Sequence, residues 1–154
     1  MNPEAHLKPP AEKRRKILVV DDNAVIIKTL SFKLKTSGFD VYTALDGADA
    51  VITVRKEKPD LILLDLGFSP DVGHGGVAWD GFLVMNWLRR IAEAKHTPII
   101  VTTAGDPAKY EKLSLEAGAA AFFHKPIDHD ALISVIHKTL SEPAGPPAAN
   151  LNTT

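Results

Sequence analysis

Pro59-Asp60-Leu61-Ile62-Leu63-Leu64-Asp65 is the stretch on which the fold turns. A short apolar run closed by polar groups is how a strand buried on both faces of a parallel sheet reads. Three further runs have the same form: Lys16-Ile17-Leu18-Val19-Val20-Asp21-Asp22, Pro98-Ile99-Ile100-Val101-Thr102-Thr103 and Ala121-Phe122-Phe123-His124-Lys125-Pro126. Functional groups gather beyond the carboxyl ends of strands in an open parallel sheet. Three carboxylates, a hydroxyl and an ammonium at those ends are therefore expected to form one site.

Length and composition frame that reading. The chain has 154 residues, 45% apolar and 24% charged, with a formal net charge of -1. That is enough for one domain with a real core. The near-neutral balance points to neither nucleic acid nor a membrane surface. Lys13-Arg14-Arg15-Lys16 is basic, but it abuts the first strand and is expected to solvate its entry. No run approaches the roughly 18 apolar residues of a membrane span, and the N-terminus lacks the apolar segment of a secretory signal. The absence of cysteine excludes disulfides and thiolate metal sites and is compatible with a cytoplasmic location.

Residues 1–15, rich in Pro, Lys and Glu, read as a flexible arm, and the Pro-rich residues 142–154 as a disordered tail or a linker stub. Between them strand and helix alternate five times, with strands near 16–21, 39–44, 60–65, 98–103 and 120–124. Helices are expected near 23–37, 47–57, 80–94, 106–117 and 128–141. Ile26, Ile27, Leu30 and Leu34 share a face of the first, which Gly38 ends; Val84, Leu88 and Ile91 line the third. Leu132, Val135, Ile136 and Leu140 line the fifth, entered through Asp128 as N-cap. Right-handed crossovers then give an α/β fold: a doubly wound five-stranded parallel sheet with helices on both faces.

Individually the polar strand ends have ordinary readings. Asp21 and Asp22 can cap the helix that starts near Asn23, and Asp65 can be a turn residue. Together they are harder to dismiss, because three clustered carboxylates repel one another unless a cation joins them. All-oxygen ligands in an open site suit Mg²⁺. Lys125 leaves an apolar strand just before Pro126, which aims its ammonium inward. Thr103 closes the fourth strand ahead of the small residues Ala104 and Gly105, with Thr102 as a competitor for its role.

In this order and spacing, Val19-Val20-Asp21-Asp22-Asn23, Leu63-Leu64-Asp65-Leu66, Val101-Thr102-Thr103-Ala104 and His124-Lys125-Pro126 resemble the receiver domain of two-component response regulators, the CheY-like family, over residues 16–141. The resemblance implies a flavodoxin-like strand order 2-1-3-4-5. It implies Asp65 as phosphoacceptor, with Asp22, Asp65 and the backbone carbonyl of Gly67 binding Mg²⁺ directly and Asp21 acting mostly through water. Lys125 would pair with phosphoryl oxygens, with a cis bond to Pro126. Thr103 would be the switch hydroxyl and Phe122 the switch aromatic. The implied protein is not an enzyme beyond its own phosphorylation and dephosphorylation. Its donor is a sensor histidine kinase or histidine phosphotransfer protein, and its output protein docks on the face made by the fourth helix, fifth strand and fifth helix. A phosphorylation-dependent homodimer is a further implied partner, whereas nucleic acid and membrane are not.

The chain departs from the family after Asp65. Asp80-Gly81, which opens the third helix, comes only after an extended loop (66–81) holding five of the ten glycines. Such density marks permissive backbone, and no Gly-Lys-Ser/Thr follows to make it a phosphate-binding loop. The loop is expected to lean over the pocket mouth with Trp79 as anchor; Asp71 and His74 make a poor second metal site. The reading is a stand-alone receiver with no effector domain after residue 141. Its alternatives are a receiver-fold adaptor working without phosphorylation and, less favoured, a Mg²⁺-dependent phosphohydrolase.

Overall fold

The computed structural model describes residues 14–67 and 81–142. In chain order they form β1 (Lys16–Val20), α1 (Ala24–Thr36), β2 (Asp40–Ala44), α2 (Gly47–Glu57), β3 (Leu61–Asp65), α3 (Gly81–Arg90), β4 (Ile99–Thr103), α4 (Pro107–Glu116), β5 (Ala121–His124) and α5 (His129–Ser141). A single 3₁₀ turn, Ala92–Ala94, follows α3. The strands make one parallel sheet in the order β2-β1-β3-β4-β5. Strand order, strand direction and the five βα units all match the sequence reading.

Alternation along each strand divides the core in two. Leu18, Val20, Ile62, Leu64, Ile99 and Val101 point to one face and pack with Val84, Met85 and Leu88 of α3 and with Ala50 and Val54 of α2. Ile17, Val19, Leu61, Leu63 and Ile100 point to the other, against Leu30 and Leu34 of α1 and Leu132 and Ile136 of α5. Every residue of β3 and β4 is buried, as expected of the sheet's interior strands. Among the described residues, no helix is long and apolar enough to cross a membrane.

Local chemistry sets the helix ends. Asn23 caps α1 by accepting from Val25 N and Ile26 N, and Asp128 caps α5 by accepting from Ala131 N. Beyond the C-cap of α1, Gly38 adopts φ +98°, and Phe39 N donates back to Leu34 O. One helix is shorter than its apolar stripe suggests. The expected 80–94 element stops at Arg90, because Ile91 turns extended at φ -90°, ψ 135°. The Arg89 guanidinium holds the break by donating to Ala94 O and Thr97 O, at 3.1 and 2.6 Å.

The basic run meets acids at the amino edge of the sheet. Arg14 lies 3.8 Å from Asp40, Arg15 lies 3.7 Å from Asp60, and Lys16 N donates to Asp60 Oδ2 at 2.7 Å. Most of the arm (1–15), of the extended loop (66–81) with Asp71, His74 and Trp79, and of the tail (142–154) lies outside the described residues.

Candidate functional site

Every member of the site leaves the carboxyl edge of a strand. Asp21 and Asp22 follow β1, Asp65 ends β3, Thr103 ends β4 and Lys125 follows β5. The chain winds from β1 toward one side of the sheet and from β3 toward the other, so a crevice opens between their loops. A cleft of about 440 Å³ lies there, and all five side chains line it.

Asp21 and Asp65 are only 2% and 3% exposed, whereas Asp22 is open to solvent. One oxygen from each of the three carboxylates lies within 4.8 Å of the others. Lys125 Nζ donates to Asp21 Oδ2 at 2.8 Å and stands 3.4 Å from Asp65 Oδ2. Backbone amides hold the opposite oxygens: Asn23 N–H donates to Asp21 Oδ1 at 2.9 Å, and Gly67 N–H to Asp65 Oδ1 at 3.0 Å. Both amides lie two residues after the carboxylate they serve, the usual Asx-turn spacing.

The electrostatics follow from this crowding. Burial pushes the Asp65 carboxyl above the ordinary aspartate value; the Gly67 N–H opposes the rise, the Asp21 charge adds to it and Lys125 moderates it. Burial alone would pull the Lys125 ammonium down, but its hydrogen bond to Asp21 and the charges of Asp65 and Asp21 outweigh that and raise it. Among the described residues the charged groups lining the cleft are three carboxylates and the Lys125 ammonium, a set that favours further positive charge. The donors are all oxygen and one of them is solvent-exposed, a set that fits a hard divalent cation such as Mg²⁺.

Thr103 rather than Thr102 lines the cleft. Strand alternation turns Thr102 the other way, beside Asp65 in the β3–β4 register. The Thr103 hydroxyl accepts from Gly105 N–H at 3.0 Å. The Lys125–Pro126 peptide is cis, as the resemblance implied. Phe122 sits in β5 opposite Val101, half-buried against the core face that carries α3. His124 is exposed at the end of β5.

Two rings complete the cleft without having been singled out in the sequence. Phe82 and Tyr110, from the first turns of α3 and α4, both line it. Their centroids are 6.5 Å apart at an interplanar angle of 28°. A signal for Tyr110 existed: helical side chains lean toward the N-terminus, so an aromatic one turn into α4 covers the loop before it. Gly81 lets α3 approach the end of β3, since a Cβ there would lie 2.5 Å from Leu66 Cα and 2.8 Å from Asp65 O.

Comparison with known proteins agrees with this geometry. The family model for the response regulator receiver domain matches residues 17–137. The chemotaxis response regulator CheY4 of Vibrio cholerae is 28% identical, with 82% of this chain and 98% of that one covered at a TM-score of 0.70. The receiver domain of Francisella response regulator 1452 is 26% identical over 82% of this chain and 97% of that one, at a TM-score of 0.71. NtrX of Brucella abortus, 24% identical, shares the fold over 82% of this chain and 27% of its own, at a TM-score of 0.72. The chain belongs to the response regulator receiver domain family of two-component signalling.

Proposed function

We propose that this chain is a phosphorylation-switched signalling receiver in which Asp65 accepts a phosphoryl group from a phosphohistidine on a sensor kinase or phosphotransfer protein. The observation that carries the reading is a buried carboxylate, Asp65, at the floor of an open cleft, shared with Asp21, Asp22 and one ammonium. A structural salt bridge needs no third carboxylate, and three of them cost stability unless a cation is bound.

Each residue has a chemical part. Gly67 N–H fixes Asp65 Oδ1, leaving the other oxygen to attack phosphorus. The new bond joins that oxygen to phosphorus, the phosphorus–nitrogen bond of the donor breaks, and its electron pair stays on the imidazole. Lys125 lies within reach of the incoming phosphoryl oxygens and offsets their charge, so catalysis is positioning plus electrostatics. Asp21, held by Asn23 N–H, keeps Lys125 aimed into the cleft. Asp22, Asp65 and the Gly67 carbonyl would hold Mg²⁺ directly, with Asp21 acting through water. That ion, when bound, neutralises charge on the phosphoryl oxygens.

The acyl phosphate brings about -2 charge into the cleft at neutral pH. The Thr103 hydroxyl, already at its edge, is drawn to it. Movement of that loop frees space for Phe122 to turn inward, which alters the α4–β5–α5 face offered to a protein partner. The chain acts on nothing but its own aspartate.

Incubation with acetyl phosphate and Mg²⁺, followed by intact mass, tests the reading. One labile phosphoryl group is expected, lost when EDTA is present. Full labelling in EDTA would exclude the metal-dependent reading, and no labelling of the wild-type chain would exclude phosphoacceptance.

A further inference from the structure

Neither residue flanking the reacting oxygens on the α3–α4 side of the cleft carries a bulky side chain: they are Gly67 and Gly105. The bulk on that side comes from Phe82 and Tyr110. Tyr110 occupies the space that a side chain at position 105 would fill, since a Cβ built on Gly105 would stand 2.7 Å from Tyr110 Cε2 and 2.9 Å from Cδ2. It would also stand 3.3 Å from Thr103 Oγ1, so position 105 lies between the ring and the switch hydroxyl. The ring is braced by Phe82 on one side, and Lys109 Nζ lies 5.1 Å from its centroid.

We propose that Tyr110, braced by Phe82, is a positioning residue that sets the lifetime of the phosphoryl group by walling the cleft against water. This rests on Asp65 being the phosphoacceptor. In hydrolysis, a water oxygen bonds to phosphorus while the bond between phosphorus and the Asp65 oxygen breaks. The electron pair returns to the carboxylate, and both water protons leave on dihydrogen phosphate. In-line attack requires that water to approach opposite the Asp65 oxygen, from the open side of the cleft. An aromatic wall there narrows the approach without touching the reacting atoms. The ring, not the phenol hydroxyl, does this.

The full chain, labelled with acetyl phosphate and Mg²⁺ and then freed of donor, provides the test. Tyr110→Ala is expected to lose its phosphoryl group about three- to tenfold faster than wild type, a change of roughly 0.7–1.4 kcal/mol in barrier. Tyr110→Phe should decay at the wild-type rate. Should Tyr110→Ala fail to fold, Phe82→Ala removes the brace and is expected to speed decay in the same direction. Wild-type decay in Tyr110→Ala or fast decay in Tyr110→Phe would each overturn the proposal while leaving phosphoacceptance standing. A wild-type chain that never labels would overturn both.

Discussion

The two edges of the sheet carry the same kinds of charged residue and put them to different use. At the amino edge, Arg14 and Arg15 face Asp40 and Asp60 across 3.8 and 3.7 Å, with every partner about a third or more exposed. At the carboxyl edge, Lys125 touches Asp21 at 2.8 Å with the two side chains only 14% and 3% exposed, and Asp65 and Asp22 crowd the same space. The first arrangement balances its charges in water and is cheap to make or lose. The second takes an excess of negative charge out of water, which a fold tolerates only where a ligand or a reaction needs it. Burial and imbalance, more than the count of charges, separate the two.

Breaking the buried edge should have the largest effect. Lys125→Met removes the ammonium that faces Asp21 and Asp65, and phosphoryl uptake is expected to fall by about 10²–10³. In EDTA the same variant should lose about 3 kcal/mol of unfolding free energy in urea at neutral pH, because two buried carboxylates lose their counter-charge. Retention of wild-type stability would mean that the Lys125 pair is as solvated as those at the opposite edge.

Relieving the crowding should act in the other direction. Asp65→Asn keeps the shape but removes a charge that burial disfavours, so metal-free stability is expected to rise by about 1 kcal/mol, several degrees in Tm. The folded-state value of Asp65 lies above its unfolded one. The folded protein therefore binds more protons there, and this contribution to stability is lost as pH rises through the raised value. The gap between Asp65→Asn and wild type should accordingly narrow on acidification toward that value. Lys125 is also raised, so the stability from its ion pairs is complete below the unfolded lysine value and lost above its folded one. A thermal-melt series across pH checks both signs.

The smallest change belongs to the exposed edge. Arg15→Ala is expected to cost about 0.5 kcal/mol or less and to fade further in high salt. A loss comparable to that of Lys125→Met would erase the distinction.

Much of this was legible in the chain. The strands announce themselves because both faces of β3 and β4 are buried, leaving uninterrupted apolar runs whose polar ends mark one edge of the sheet. Convergence of Asp21, Asp22, Asp65, Thr103 and Lys125 follows from parallel strands sharing that edge. What local pattern could not convey depends on contacts between distant elements. The stripe Val84, Leu88, Ile91 continues smoothly, but Arg89 finds the carbonyls of Ala94 and Thr97 and the helix stops early. Likewise the pairing of Phe82 with Tyr110 arises only when α3 and α4 set the two rings side by side over the cleft.

Locating the phosphoryl group most directly tests the central claim. Borohydride reduces an aspartyl phosphate to homoserine, which peptide mass mapping places in the sequence. After acetyl phosphate and Mg²⁺, reduction should convert position 65 and no other, and Asp65→Asn should yield none. Homoserine at position 21 or 22, or unchanged labelling of Asp65→Asn, would contradict the account.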